Sequence, residues 1–283
     1  MQINALMPWA GAKRTQADRI VQQLGPHSAY WEPFCGSAAV LLAKPPATME
    51  TVNDLHGDLI NFARWVQSDQ WVELYDRLRR TLFVAELWNA SAEYCLKEAF
   101  APTLDRAYHY FVYCWAGRNG SAGTKSGQGF CVRYTSNGGS PGTRMVGAVD
   151  SMPEWHERLR PVIILNLDGF GMVARIEDKL GSVVYVDPPY LKKSFKYTHD
   201  FAAGDHARLA SLLSQFTQTR IVVSYYDHPD LVALYRGWTI IPLDVTKGLG
   251  NAGRRDEGGA VAAPEVLLVN GPAIDDAGGM FGG

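Results

Sequence analysis

The chain has 283 residues, 47% of them hydrophobic and 20% charged, with a formal net charge of −2. That length can bury a sizeable core, as one large domain or a core with an inserted lobe, and the near-neutral balance argues against nucleic-acid binding through bulk charge. Cys35, Cys95, Cys114 and Cys131 form no C-x-x-C and have no nearby His pair, which argues against a zinc knuckle or a disulfide scaffold and for free thiols in a reducing cytoplasm.

In chain order, Met1 to Met7 has neither the charged start nor the long apolar run of a signal peptide. No apolar stretch approaches the roughly 20 residues that span a bilayer, so a cytoplasmic protein with no membrane partner is expected. At Phe34-Cys35-Gly36-Ser37, small residues after a strand let the backbone approach a ligand closely, although an ordinary βα turn has the same look. Asp54 follows about 20 residues later, where an acid at a strand end can accept from ribose hydroxyls. The alternative for Asp54 is a helix cap for the segment starting near Leu59, a task for which Asp58 is better placed.

From about Phe62 to Trp115 the pattern is helical and aromatic, with Trp65, Trp71, Tyr75, Trp88, Tyr94, Tyr108 and Tyr110. Gly117 to Gly147 is crowded with Gly and Ser, and no Asp or Glu occurs between Arg106 and Val149. These features predict a helical lobe followed by a basic, flexible segment, both inserted into an α/β core. Short runs rich in β-branched residues predict buried strands at Val162–Leu167, Val183–Val186, Arg220–Tyr225 and Glu265–Val269. Helical spacing at Asp205–Leu213, with Asp205 in its first turn, sits between two of them. Strand and helix alternate, as in an α/β sandwich. Ala273 to Gly283 is expected to be poorly ordered.

The run Val183 to Tyr190 carries the chemistry. A buried strand ends in Asp187, and Pro188 and Pro189 each fix φ and remove a backbone donor. The Asp187 carboxylate and the Pro188 carbonyl are left as acceptors beside the Tyr190 ring. An exocyclic amine is a pair of N–H donors on a flat ring, which two acceptors and a stacking face suit. A tight surface turn with an incidental tyrosine is the plainer alternative.

Asp187-Pro188-Pro189-Tyr190 resembles the D-P-P-Y motif of amino-methylating DNA methyltransferases, and further segments resemble the Dam-type, D12-class adenine subfamily in order. Pro8-Trp9-Ala10-Gly11-Ala12-Lys13 is similar to its W-A-G-G-K. Trp31-Glu32-Pro33-Phe34-Cys35-Gly36-Ser37-Ala38-Ala39-Val40 is similar to E-P-F-x-G-x-G-A-V, with Ala38 where the family usually has Gly. Asn53 to Asn61 is similar to N-D-x-N-x-x-L-I-N, and Asn166 to Phe170 to the D-F element, with Gly169 between Asp168 and Phe170. The similarity covers both ends of the chain and is weakest in the middle.

The resemblance implies a Rossmann-like methyltransferase core, a mixed seven-stranded sheet, formed by residues 1–62 and 160–283. Residues 63–159 would form an inserted, mainly helical target-recognition lobe. It implies S-adenosylmethionine as cofactor, held by Trp9, Ala10, Gly11, Lys13, Glu32, Pro33, Phe34, Gly36, Ser37, Asp54, Asp168, Phe170 and Asp187. Within that set Lys13 would pair with the cofactor carboxylate, and a methyl group at Ala38 would tighten the pocket. Duplex DNA is the implied partner, with a restriction or phage system as its setting. Candidate DNA contacts are Arg118, Asn119, Lys125, Arg133, Tyr134, Asn137 and Arg144, which offer phosphate neutralisation, base-edge contacts or a wedge. Lys192, Lys193 and Lys196, and Arg254 and Arg255, add positive charge. No metal is implied. Methylation of the cytosine amine, methylation of adenine in RNA, and a DNA-binding relative without catalysis stay open as alternatives.

Overall fold

The computed structural model describes residues 5–9, 11–118, 129–132, 140–191, 199–202, 204–243 and 264–274. Its strands are β1 (Ala29–Glu32), β2 (Met49–Asn53), β3 (Ile163–Leu165), β4 (Ser182–Val186), β5 (Arg220–Tyr226), β6 (Thr239–Leu243) and β7 (Glu265–Val269). They form one seven-stranded sheet in the order β3-β2-β1-β4-β5-β7-β6. The first five strands run parallel, and β7 enters antiparallel between β5 and β6. This is the mixed α/β sheet expected from the sequence. The strand expected over Val162–Leu167 is shorter, because the chain turns after Leu165 into a capped helix.

The helices before β3 are α1 (Ala17–Leu24), α2 (Ala39–Ala43), α3 (Gly57–Gln67), α4 (Trp71–Arg79), α5 (Ala85–Lys97), α6 (Leu104–Trp115), α7 (Pro141–Asp150) and α8 (Met152–Leu159). Those after it are α9 (Gly169–Val173), α10 (Asp205–Leu213) and α11 (Asp230–Leu234). Successive side chains of a strand point to opposite faces, and two apolar clusters follow from this. Val183, Tyr185, Val222, Leu267 and Val269 face Leu6, Ile20, Phe62, Phe111 and Trp155, so α1, α3, α6 and α8 cover that face. Val184, Val186, Ile221, Val223 and Leu268 face Phe170, Leu209, Leu213 and Leu231 of α9, α10 and α11.

The helical region between β2 and β3 shares the first of these clusters with the sheet. Arg158 of α8 forks onto Glu50 of β2 at 2.5 and 2.8 Å, and Gln67 of α3 donates to the carbonyls of Leu159 and Val162. The expected division between residues 62 and 63 falls inside α3.

Three local expectations are corrected. The cap of α3 is His56, whose Nδ1 accepts from Leu59 N; Asp58 stands in the first turn instead and pairs with the buried Arg106 of α6. The last part of the glycine-rich segment is the helix α7, because Ser140 caps it, Pro141 opens it, and Met145, Ala148 and Val149 give it a buried face. The start of the C-terminal stretch is fastened, since Gln23 bonds both the N–H and the carbonyl of Ile274.

Candidate active site

The sheet's strand order reverses between β1 and β4, since the chain moves outward one way to β2 and β3 and the other way to β5. Open α/β sheets bind ligands outside the carboxyl ends of the strands at such a point. A cleft lies there, with about 1010 Å3 of empty space open to solvent. Its walls come from the ends of four strands. β1 contributes Glu32 and Phe34 to Ser37, β2 contributes Asp54 to His56, β3 leads to Asp168 to Phe170, and β4 leads to Asp187 to Pro189. Trp9, Lys13, His199 and Phe201 complete it.

The turn after β1 is shaped by close approach. Gly36 has φ +46°, and a Cβ there would meet the Trp9 indole at 2.9 Å. Asp54 fastens this turn from β2: Oδ2 accepts from Gly36 N at 2.9 Å and Oδ1 from His56 N at 2.9 Å. Asn53, fully buried, ties three strand ends together. Its amide donates to the carbonyls of Pro33 and Leu167, and its Oδ1 accepts from Leu167 N. Ala38, in the left-handed region at φ 55°, does not line the cleft; Ser37, Ala39 and Val40 do. Its methyl therefore acts on backbone conformation and not on pocket width, correcting the expectation at that position.

On the β3 side, Asp168 caps α9 by accepting from Gly171 N, and Phe170 stacks on Phe201 with ring centroids 5.3 Å apart. The intervening glycine has a packing reason. A Cβ at Gly169 would lie 2.4 Å from the Phe34 ring, so the turn admits no side chain there. Asp168 and Phe170 both reach the cleft across it.

Asp187 ends β4. Its Oδ2 pairs with the Lys13 ammonium at 2.9 Å and its Oδ1 accepts from Ser224 Oγ at 2.8 Å. Lys13 also donates to the Gly11 carbonyl and lies 5.0 Å from the Tyr190 ring centroid. The expected partner of Lys13 was a cofactor carboxylate; in the folded chain its ammonium meets the carboxylate of Asp187. Burial works against that charge, yet Asp187 and Glu265 outweigh it and hold the ammonium above the ordinary lysine value. Glu32, fully buried and accepting from Tyr30 OH, is pushed up to about 8 by burial, which places a neutral carboxylic acid in the cleft at neutral pH. Burial likewise holds the Cys35 thiol well above its ordinary value, so it is no thiolate nucleophile. His56 is held neutral by burial against the opposing pull of Asp54 and Asp58, and its ring meets Trp9 edge-on.

Other expected residues stand outside the cleft wall. Tyr190 is only 5% exposed and packs edge-on against Tyr226, with centroids 4.6 Å apart. Pro33 supplies a carbonyl to Asn53, and Gly11 one to Lys13. Arg144 is carried by α7, and Arg118 follows α6, bonded through its backbone N–H to Gly129. Ala10, Asn119, Lys125, Arg133, Tyr134, Asn137, Lys192, Lys193, Lys196, Arg254 and Arg255 lie outside the described residues.

Sequence reasoning missed Ser224, Tyr185, His56, His199 and Phe201. Ser224 had a signal, because a hydroxyl inside the apolar run Ile221–Tyr225 must find a partner when buried. His199 and Phe201 had none, since only the tertiary fold brings their loop over the cleft.

A parallel sheet with one antiparallel strand inserted beside its edge, a glycine turn after its first strand, and an Asp-Pro-Pro-Tyr at the switch point are consistent with a Rossmann-like methyltransferase. Residues 9–120 match the family model of the D12 class N6 adenine-specific DNA methyltransferases. The chain is 27% identical over 248 residues to a DNA adenine methylase of Serratia marcescens, covering 83% of this chain and 86% of that one. It is 26% identical over 282 residues to the Retron Ec67 DNA adenine methylase of Escherichia coli, covering 95% of this chain and 92% of that one. The family model and both relatives are adenine-specific DNA methyltransferases by name, the class of enzyme that this chain is similar to.

Proposed function

We propose that this chain transfers a methyl group from S-adenosylmethionine to the exocyclic 6-amino group of adenine in duplex DNA. The observation that carries the reading is the Asp187 carboxylate, anchored through both oxygens at the end of β4, beside Pro188 on the cleft wall. The cleft also suits the methyl donor. Gly36 lets the Trp9 indole close against the turn, Asp54 and Asp168 are acceptors, and Phe34, Phe170 and Phe201 form an aromatic wall. Trp9, Gly36 and Ser37 would hold the amino-acid end, Asp54 the ribose, and Asp168 with Phe170 the purine. When bound, the donor supplies the methyl group as a sulfonium electrophile.

The protein's own part is orientation and electrostatics. Asp187 and the Pro188 carbonyl accept from the two amine N–H groups and draw the nitrogen lone pair out of ring conjugation. An adenine inside a duplex cannot reach this wall, so it is turned out of the stack at a cost of a few kcal/mol, offset by pocket contacts. Tyr190 stacks on the extruded base after leaving its packing against Tyr226. With Cys35 protonated and no other thiol lining the cleft among the described residues, transfer is direct and in line.

Residues 63–159 form the target-recognition region in this reading, with Arg118 and Arg144 among its phosphate and base contacts. Asn119, Lys125, Arg133, Tyr134 and Asn137 join them, and Lys192 and Lys193 flank the base pocket. Its setting in this reading is a restriction or phage system, and the retron in the name of one relative favours such a context.

The test is transfer from labelled S-adenosylmethionine to duplex DNA, followed by digestion to nucleosides. Label in N6-methyladenine, lost in Asp187→Ala with the fold intact, is the expected result. Near-normal transfer by that variant overturns the site assignment, and label in a cytosine nucleoside overturns the substrate.

A further inference from the structure

Ser224 sits inside β5 between Val223 and Tyr225, with 0% of its surface exposed. Strand β5 pairs in parallel with β4 up to Val186 and Val223, so the next residue on each strand, Asp187 and Ser224, stand side by side on one face. Ser224 Oγ donates to Asp187 Oδ1 at 2.8 Å. Tyr185, two residues before Asp187 and therefore on the same face, has its hydroxyl 3.0 Å from Ser224 Oγ. A carboxylate only accepts, so the single hydroxyl hydrogen of Ser224 is committed to Asp187. Tyr185 must then be the donor to Ser224, and burial keeps its phenol protonated for that role. The result is a directed chain, Tyr185 to Ser224 to Asp187, closed on the other carboxylate oxygen by Lys13.

A carboxylate held through one oxygen can turn about its Cβ–Cγ bond; held through both, it cannot. An alanine would fill this strand position equally well and would bring no polar group to satisfy. The hydroxyl therefore has its reason in Asp187 and not in packing.

Resting on the methyl-transfer reading above, we infer that Ser224, supported by Tyr185, is a positioning residue: it fixes the rotation of the Asp187 carboxylate, which Lys13 alone leaves free. The lone pairs that Ser224 and Lys13 do not use are thereby presented to the incoming amine. Ser224 touches neither base nor methyl donor and acts only through Asp187.

The experiment compares the full chain with Ser224→Ala, Ser224→Thr and Tyr185→Phe. Single-turnover methylation rate, KM for duplex DNA, equilibrium affinity for S-adenosylhomocysteine and the urea unfolding midpoint are measured for each. Ser224→Ala should lose about tenfold in rate, the effect of one hydrogen bond to a charged group, with KM and affinity unchanged and a midpoint lowered only by the orphaned Tyr185 hydroxyl. Ser224→Thr, which keeps the hydroxyl, should recover most of the rate, and Tyr185→Phe should lose about threefold. A Ser224→Ala rate within twofold of the parent overturns the inference, as does a loss confined to KM or affinity, or a Thr variant as slow as the Ala one. Should Ser224→Ala fail to fold, Tyr185→Phe decides: an unchanged rate overturns the inference. Asp187→Ala separates this from the underlying reading, since full activity there removes Asp187 from the chemistry altogether.

Discussion

At the residue scale, the cleft depends on groups whose ordinary behaviour is reversed by burial. Glu32 gives a pH prediction. Its carboxyl is pushed from 4.5 to about 8 by burial, against the pull of its bond from Tyr30. The folded state therefore binds a proton that the unfolded state has released, and between those values the native chain holds more protons than the unfolded one. Stability must fall as pH rises from about 4.5 and level off above about 8. Glu32→Gln keeps an acceptor for Tyr30 without the titration, so urea unfolding at pH 5, 6.5 and 8 should show a flatter profile and a gain of about 1 kcal/mol or more at pH 8. An unchanged slope would show that the carboxyl already ionises near its ordinary value. Ala38 is a second case. At φ 55° it takes a conformation that L-residues adopt at a cost of roughly 1–2 kcal/mol, and the resemblance to a glycine-bearing motif marks the position. The motif singles out the residue, but only the backbone angle shows that its methyl lies off the cleft.

At the element scale, the candidate active site is a set of strand ends, and Asn53 binds three of them. Its three hydrogen bonds reach Pro33 after β1 and Leu167 after β3, so one side chain sets the spacing of three loops. Asn53→Ala should lower stability by about 3 kcal/mol, counting roughly 1 kcal/mol for each hydrogen bond removed from a buried setting. It should also weaken S-adenosylhomocysteine binding, measured by calorimetry. Loss of stability with unchanged affinity would confine Asn53 to the fold. Most elements are legible in the sequence. The strands around Val183–Val186, Arg220–Tyr225 and Glu265–Val269 are evident as β-branched runs, and α10 as an apolar stripe with an acid in its first turn. Helix α7 is not, because Gly142, Thr143 and Gly147 dilute its periodicity and its Ser140 cap looks like part of a polar loop. The cap of α3 is misplaced for a different reason: Asp58 is a good capping residue type, but Arg106, 48 residues away, claims it.

At the scale of the whole molecule, a net charge of −2 must be reconciled with a polyanionic substrate. In the proposed reading local clustering resolves this, since the acid-free stretch between Arg106 and Val149 concentrates positive charge in one part of the chain. Replacing Arg118 and Arg133 by Gln should weaken duplex binding across sequences and reduce the slope of log K against log salt by about 1 for each phosphate left without its cation. Fluorescence anisotropy between low and moderate salt measures both. An unchanged slope would remove this segment from the DNA interface.

The order of motifs by itself determined the class of chemistry. Asp187-Pro188-Pro189-Tyr190, the glycine turn and the Asn53-Asp54 pair carry it because such local steric and hydrogen-bonding demands are written in neighbouring residues. What the tertiary structure alone decided is which groups meet. Lys13 joins Asp187 across 174 positions of chain, Ser224 arrives from the adjacent strand, and Tyr190 lies packed away from the cleft. Such pairings follow from strand order and register, which bring distant residues together only when the sheet closes.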